Sequence, residues 1–111
     1  MVSEKKNSIH WSEFAEKNLR DIFDYISADS HFHAHKTISS IIALSKKLSD
    51  SPLKFEECVE LKTVNKIYRK ATFTPYQLIY RIKKERIEIL SVFHSSQNPK
   101  KIKSFRKIKV R

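Results

Sequence analysis

The chain changes its periodicity partway along, and its charge changes with it. As far as the run Ser49-Asp50-Ser51-Pro52, apolar residues recur every three or four positions, the spacing of a helix face; from Ile67 they fall in short runs rich in Ile, Tyr, Val, Phe and Thr. Helices followed by neighbouring strands predict an α+β fold. Residues 1–60 carry eight Lys and Arg against ten Asp and Glu, whereas residues 61–111 carry fifteen against two. The positive charge therefore belongs to the strands and to the C-terminal segment beyond them. A basic sheet bearing tyrosines is an anion-binding surface, and the most abundant large anion in a cell is nucleic acid.

The 111 residues fit one domain, and with 40% hydrophobic residues the chain can bury a real core. There is no apolar run long enough to span a membrane, and Met1 to His10 lacks the apolar stretch of an export signal, so a cytoplasmic location is expected. Glycine is absent. That excludes a Walker loop or a dinucleotide-binding turn, both of which need glycine where backbone approaches phosphate. No cofactor is expected. The single cysteine, Cys58, has no second thiol with which to bridge or chelate, and reads as a packed thiol.

Ile9 and Trp11 alternate with polar residues from about Lys5, which predicts an opening strand. Ser12 can cap a helix to about Ser27 whose stripe is Ala15, Leu19, Ile22, Phe23 and Ile26. Asp29 or Ser30 can cap a second helix with the stripe Ala34, Ile38, Ile41, Ile42, Ser45 and Leu48. The short connection makes the pair an antiparallel hairpin. After an irregular stretch from Leu53 to about Asn65, three strands are predicted: Ile67 to Phe73, Tyr76 to Ile82 and Arg86 to His94. The expected architecture is an N-terminal strand and a helix hairpin packed on a three- to four-stranded antiparallel sheet. Residues 1–99 form the domain and residues 100–111 a basic tail, either disordered or ordered as a short helix or strand.

Pairing Phe73 with Tyr76 and Ile82 with Ile87 assigns Ile67, Ala71, Phe73, Tyr76, Leu78, Tyr80, Ile82, Ile87, Ile89 and Phe93 to the helix side. Arg69 falls there too and must snorkel or pair. Tyr68, Lys70, Thr72, Gln77, Ile79, Arg81, Leu90, Val92 and His94 then share the opposite face, which mixes cations and hydroxyls over an apolar floor. Within it, Tyr68, Lys70, Arg81 and His94 suggest metal-free cleavage of RNA. His94 would be base or acid, Tyr68 an acid or a stacking platform, and Lys70 and Arg81 phosphate clamps. The same residues, with Thr72, Gln77 and Gln97, also suit binding of a target without catalysis. His31, His33 and His35 invite a metal reading, but on a helix only His31 and His35 share a face, so no metal site is assigned.

The run Trp11-Ser12-Glu13-Phe14-Ala15, continuing through Leu19, Ile22 and Tyr25-Ile26, resembles the opening of the ParE branch of the RelE/ParE toxin superfamily. Tyr76-Gln77-Leu78-Ile79-Tyr80-Arg81-Ile82 and Ile87-Glu88-Ile89-Leu90-Ser91-Val92-Phe93-His94 resemble its last two strands. The resemblance covers residues 8 to 99. It implies the toxin of a type II toxin–antitoxin module, of the kind that stabilises plasmids, silenced by an acidic antitoxin from an adjacent gene and forming a heterotetramer with it in one arrangement. Antitoxin contacts are expected at Lys70, Arg81, Lys100, Lys101, Lys103 and Arg106. The RelE branch cuts messenger RNA on the ribosome, whereas ParE poisons DNA gyrase without such catalysis. Thr72 stands where the nuclease branch has a strand arginine, and His94-Ser95-Ser96-Gln97-Asn98-Pro99 lacks the arginine that follows its last strand. The leading expectation is a gyrase-binding toxin, ahead of a ribosome-dependent endoribonuclease and of an inactive nucleic-acid-binding remnant.

Overall fold

A computed structural model describes residues 7–111; Lys5 and Lys6 of the expected opening strand, and most of the stretch read for an export signal, lie outside them. The strands are β1 (Ser8–Trp11), β2 (Glu56–Glu57), β3 (Tyr68–Phe73), β4 (Tyr76–Lys83) and β5 (Arg86–His94). The helices α1 (Glu13–Ser27) and α2 (His31–Asp50) follow β1, and a 3-10 helix spans Pro99–Lys107. The sheet order is β1-β5-β4-β3-β2, with β1 parallel to β5 and the other pairs antiparallel. The architecture is α+β as expected, with five strands in a mixed sheet. The added strand, β2, is two residues long and is defined only by its pairing with Lys70 and Arg69, so no periodicity announces it.

Both helices begin where the sequence supplies an oxygen. Ser12 Oγ accepts from the Ala15 N–H at 2.9 Å, and Ser30 Oγ accepts from the His33 N–H at 3.1 Å. Glu13 and Glu16 in the first turn of α1 favour the positive end of its dipole. The inner stripes bury Ala15, Ile41 and Leu48 against Ala71, Leu78, Tyr80, Ile87 and Ile89 of the sheet. Arg69, on this side, donates to the carbonyls of Phe55 at 3.0 Å and Lys66 at 3.0 Å, so the snorkelling cation finds main-chain acceptors. Tyr80 reaches the Pro52 carbonyl at 2.6 Å and carries the connection after α2.

The opposite face has its own core. Cys58, Leu61, Tyr68, Ile79, Leu90 and Phe93 pack there with Ile102 and Phe105 from the C-terminal segment. The basic tail is thus ordered: it is a strap across the sheet, anchored by apolar side chains at every third position of its 3-10 helix.

The expected faces hold through β4 and then fail in β5. Tyr80 pairs with Ile89 while the neighbouring Ile79 pairs with Ser91, leaving Leu90 as an extra residue. One inserted residue reverses the alternation beyond it. Val92 therefore joins the helix-side core and Phe93 the strap-side core, the reverse of the expectation, and Ile67 also packs on the strap side. The bulge is held by α1 and its cap. Ser12 Oγ donates to the Leu90 carbonyl at 2.8 Å, and Asn18 Oδ1 accepts from the Val92 N–H and from Ser91 Oγ, each at 3.0 Å.

Candidate functional site

The bulge decides what the sheet can present. His94 pairs with Tyr76, and their rings meet edge to face at 5.2 Å. Tyr76 belongs to the helix-side core, so His94 is carried to the face opposite Tyr68 and Arg81, to which unbroken alternation had assigned it. Its Nδ1 accepts from the Ser96 N–H at 3.0 Å and meets Ser96 Oγ at 2.7 Å, while the main-chain N–H of His94 donates to Gln97 Oε1 at 3.1 Å. His94 thus organises the turn that launches the strap.

Tyr68, Lys70, Thr72, Gln77 and Arg81 do share the strap-side face through the β3–β4 register. Two of them are covered. Tyr68 is buried, with the guanidinium groups of Arg81 and Arg106 at 5.9 and 5.1 Å from its ring centre. Arg81 is only 9% exposed. Its Nε and Nη2 donate to Glu88 Oε1 at 2.8 and 2.6 Å, while Nη1 reaches the Arg106 carbonyl at 3.4 Å and Nη2 also reaches that of Ile108 at 3.2 Å. Arg86 donates to the other Glu88 oxygen at 2.8 Å and to the Val110 carbonyl at 3.0 Å. A buried carboxylate thus aims two arginines at the strap's main chain.

The protonation states are set by these contacts. Burial alone would raise the Glu88 carboxyl, but hydrogen bonds and charge from Arg81 and Arg86 outweigh it and hold the group below the usual carboxylate range. Burial likewise works against the Arg81 charge, yet hydrogen bonds to Tyr68 and Glu88 leave it more firmly protonated than usual. The Cys58 thiol is pushed up to about 11, first by burial and then by Glu60, so it stays protonated at neutral pH, as a packed thiol should.

Lys70 faces Glu56 across β2 at 3.7 Å, whereas Thr72 is exposed and Gln77 half-buried at the open end of the face. Gln97 and Lys101 line a cleft of about 180 Å³ with Phe14, Asn18 and Asp21. Lys100, Lys101, Lys103 and Arg106 are all exposed on the strap. His31 and His35 flank Phe23, at 6.4 and 4.9 Å between ring centres, and His33 lies against Phe32. Among the described residues no group of three or more His, Cys, Asp or Glu could hold a metal ion, and no helix is long and apolar enough to cross a membrane.

Sequence reasoning missed Glu88, although a signal was present. Pairing Ile82 with Ile87 already sets Arg81 opposite Glu88, and the strand pattern thereby contained the ion pair. The Ser12 and Asn18 clamps on the bulge had no such signal, because no glycine marks the irregularity.

The site thus lies on a mixed sheet covered on one side by a helix hairpin and on the other by a basic strap. The sequence matches the family of ParE toxins of type II toxin–antitoxin systems, parDE, over residues 9–99, and the chain belongs to that family. Among solved structures it is similar to a chain of the chromosomal ParDE toxin–antitoxin system from P. aeruginosa, at 22% identity and a TM-score of 0.66, covering 82% of this chain and 98% of that one. It is also similar to a chain of the RelBE2 toxin–antitoxin complex from Mycobacterium tuberculosis, at 18% identity and a TM-score of 0.60, covering 87% and 100%. At these identities the likeness is one of fold. No curated protein matches the sequence.

Proposed function

We propose that this toxin inhibits growth by binding DNA gyrase rather than by cleaving RNA, and that an acidic antitoxin neutralises it. The observation that carries this reading is the state of Arg81. A phosphate clamp needs free guanidinium donors, and four of the five N–H groups of Arg81 are taken up by Glu88 and by strap carbonyls. His94 lies on the other face, so acid, base and clamp do not converge on one substrate position. Binding without chemistry asks for no such convergence. The antitoxin is inferred from family membership and from a net charge of +11 that calls for an acidic partner.

Induced expression without antitoxin should arrest growth, leave transcripts intact and yield relaxed or broken DNA. Purified toxin should inhibit gyrase-driven supercoiling. Arg81→Ala and His94→Ala should act on toxicity only as far as they lower folding stability. Rapid cleavage of translated messages at defined codons, abolished by either substitution in a stably folded variant, would instead make the chain a ribosome-dependent nuclease.

A further inference from the structure

The strap's exposed side is more regular than a generic basic tail. In a 3-10 helix, residues three apart lie one above another and rise about 6 Å per turn. Lys100, Lys103 and Arg106 form one such row, Lys101, Ser104 and Lys107 a second, and Ile102 and Phe105 the third, which is buried. Lys109 extends the charged side just beyond the helix. The ridge cannot swing freely, since Ile102 and Phe105 sit in the sheet core and Arg81 and Arg86 hold the carbonyls of Arg106, Ile108 and Val110. Residues 95–111 contain no Asp or Glu. Among the described residues Lys100, Lys101, Lys103, Lys107 and Lys109 form no ion pair.

We infer that this ridge binds the phosphate backbone of duplex DNA. An acidic protein segment is the competing occupant, and the sequence pattern had suggested it for Lys100, Lys101, Lys103 and Arg106. Segments that order on binding need apolar anchors as well as charge. From Gln97 to Lys107 every exposed side chain except Pro99 is polar, so the ridge offers none. Phosphates need only cations with neutral donors beside them, and the Gln97 amide, engaged only through its oxygen, supplies one. Single strands are held largely by stacking on a succession of exposed aromatics; Phe105 and Tyr68 are buried, and Phe14, 42% exposed against Phe105, is a single ring at the side of the ridge. The choice of DNA over duplex RNA rests on the gyrase reading, whose enzyme works on DNA. Bound there, the toxin would hold the DNA that its target is handling.

The test is fluorescence anisotropy of the full chain with a labelled 20-bp DNA duplex, without gyrase, so that a failed gyrase assay and a failed ridge give different results. One phosphate contact at each of the five unpaired lysines, with Arg106 held over Tyr68, predicts a log–log salt slope of about −4.5, or a loss of about 500-fold between 50 and 200 mM salt. The triple variant Lys100→Ser, Lys103→Ser, Lys107→Ser should flatten the slope to about −1.8, about 12-fold over the same range. A control that removes equal charge from α2, Lys36→Ser, Lys46→Ser, Lys47→Ser, should keep the parent slope. Equal flattening by both triples would show attraction to net charge alone and overturn the inference. So would tighter binding of a single strand, of duplex RNA, or of a twelve-residue Asp/Glu peptide in the same buffer.

Discussion

The two faces of this sheet are both covered, but they are closed by different physics. On the helix side, Ile41 and Leu48 meet Leu78, Ile87 and Ile89, and burial of apolar area closes the face. On the strap side, Ile102 and Phe105 supply an apolar footing, but the segment that carries them is mostly Lys, Arg and Ser. Its closure also depends on the buried Glu88, which neutralises Arg81 and aims it, with Arg86, at carbonyls. A helix stripe closes a face by area alone. A basic strap needs a buried acid to keep arginines in place beneath it.

The largest expected effect comes from breaking that device. Glu88→Ala leaves Arg81 buried without its counter-charge, and such breakage costs about 3–5 kcal/mol. Chemical denaturation should show it as a lower midpoint, and the double variant Glu88→Leu, Arg81→Met should recover much of the loss. Acid probes the same pair. The Glu88 carboxyl is held below its unfolded value of about 4.3. Its contribution is therefore complete above that pH and is lost as the pH falls through the lower folded value. Amides of the strap should lose exchange protection in acid before those of β4 and β5 do.

Large-to-small changes on the two sides should differ in kind. Ile89→Ala, in the helix-side core, should lower global stability by about 2–4 kcal/mol. Phe105→Ala should act mainly by releasing the strap, so hydrogen exchange should rise in Pro99–Lys107 while β4 and β5 stay protected. If Phe105→Ala unfolds the whole chain as one unit, the strap is as much a part of the domain as the hairpin. Ser12→Ala removes both a helix cap and the donor to the bulged Leu90 carbonyl. A loss of about 1–2 kcal/mol is expected, with new exchange at Val92 marking a loosened bulge.

The sequence made one face readable and hid the other, for physical reasons. Helix stripes, the Ser12 and Ser30 caps and the β3–β4 register all obey local rules of period and capping. The Leu90 bulge is set by contacts with Ser12 and Asn18, more than seventy residues away, and nothing in the run Ile89-Leu90-Ser91-Val92-Phe93 marks it. That one residue sets His94 on the face opposite Tyr68 and Arg81, where unbroken alternation would not have put it. The strap was half legible: a short helix was one expected form of the basic run, but nothing in the run itself shows that its period of three seats Ile102 and Phe105 against the sheet.

The smallest effect sharpens the comparison directly, because it sets an exposed ion pair beside the buried one. Lys17 and Asp21 on α1 form an ion pair at 2.8 Å, close to the 2.6 Å of Arg81 and Glu88, but their side chains are 63% and 59% exposed against 10% and 6%. In the exposed pair water already solvates each charge, so a double-mutant cycle with Lys17→Ala and Asp21→Ala should give about 0.3–0.5 kcal/mol. Raising the salt to about 1 M should erase most of it. The same salt should leave the Arg81–Glu88 coupling largely intact, since ions cannot enter beneath the strap. A coupling at Lys17–Asp21 that rivals the buried one, or a buried one that salt removes, would mean that the strap opens to solvent and that the two faces are closed by the same means.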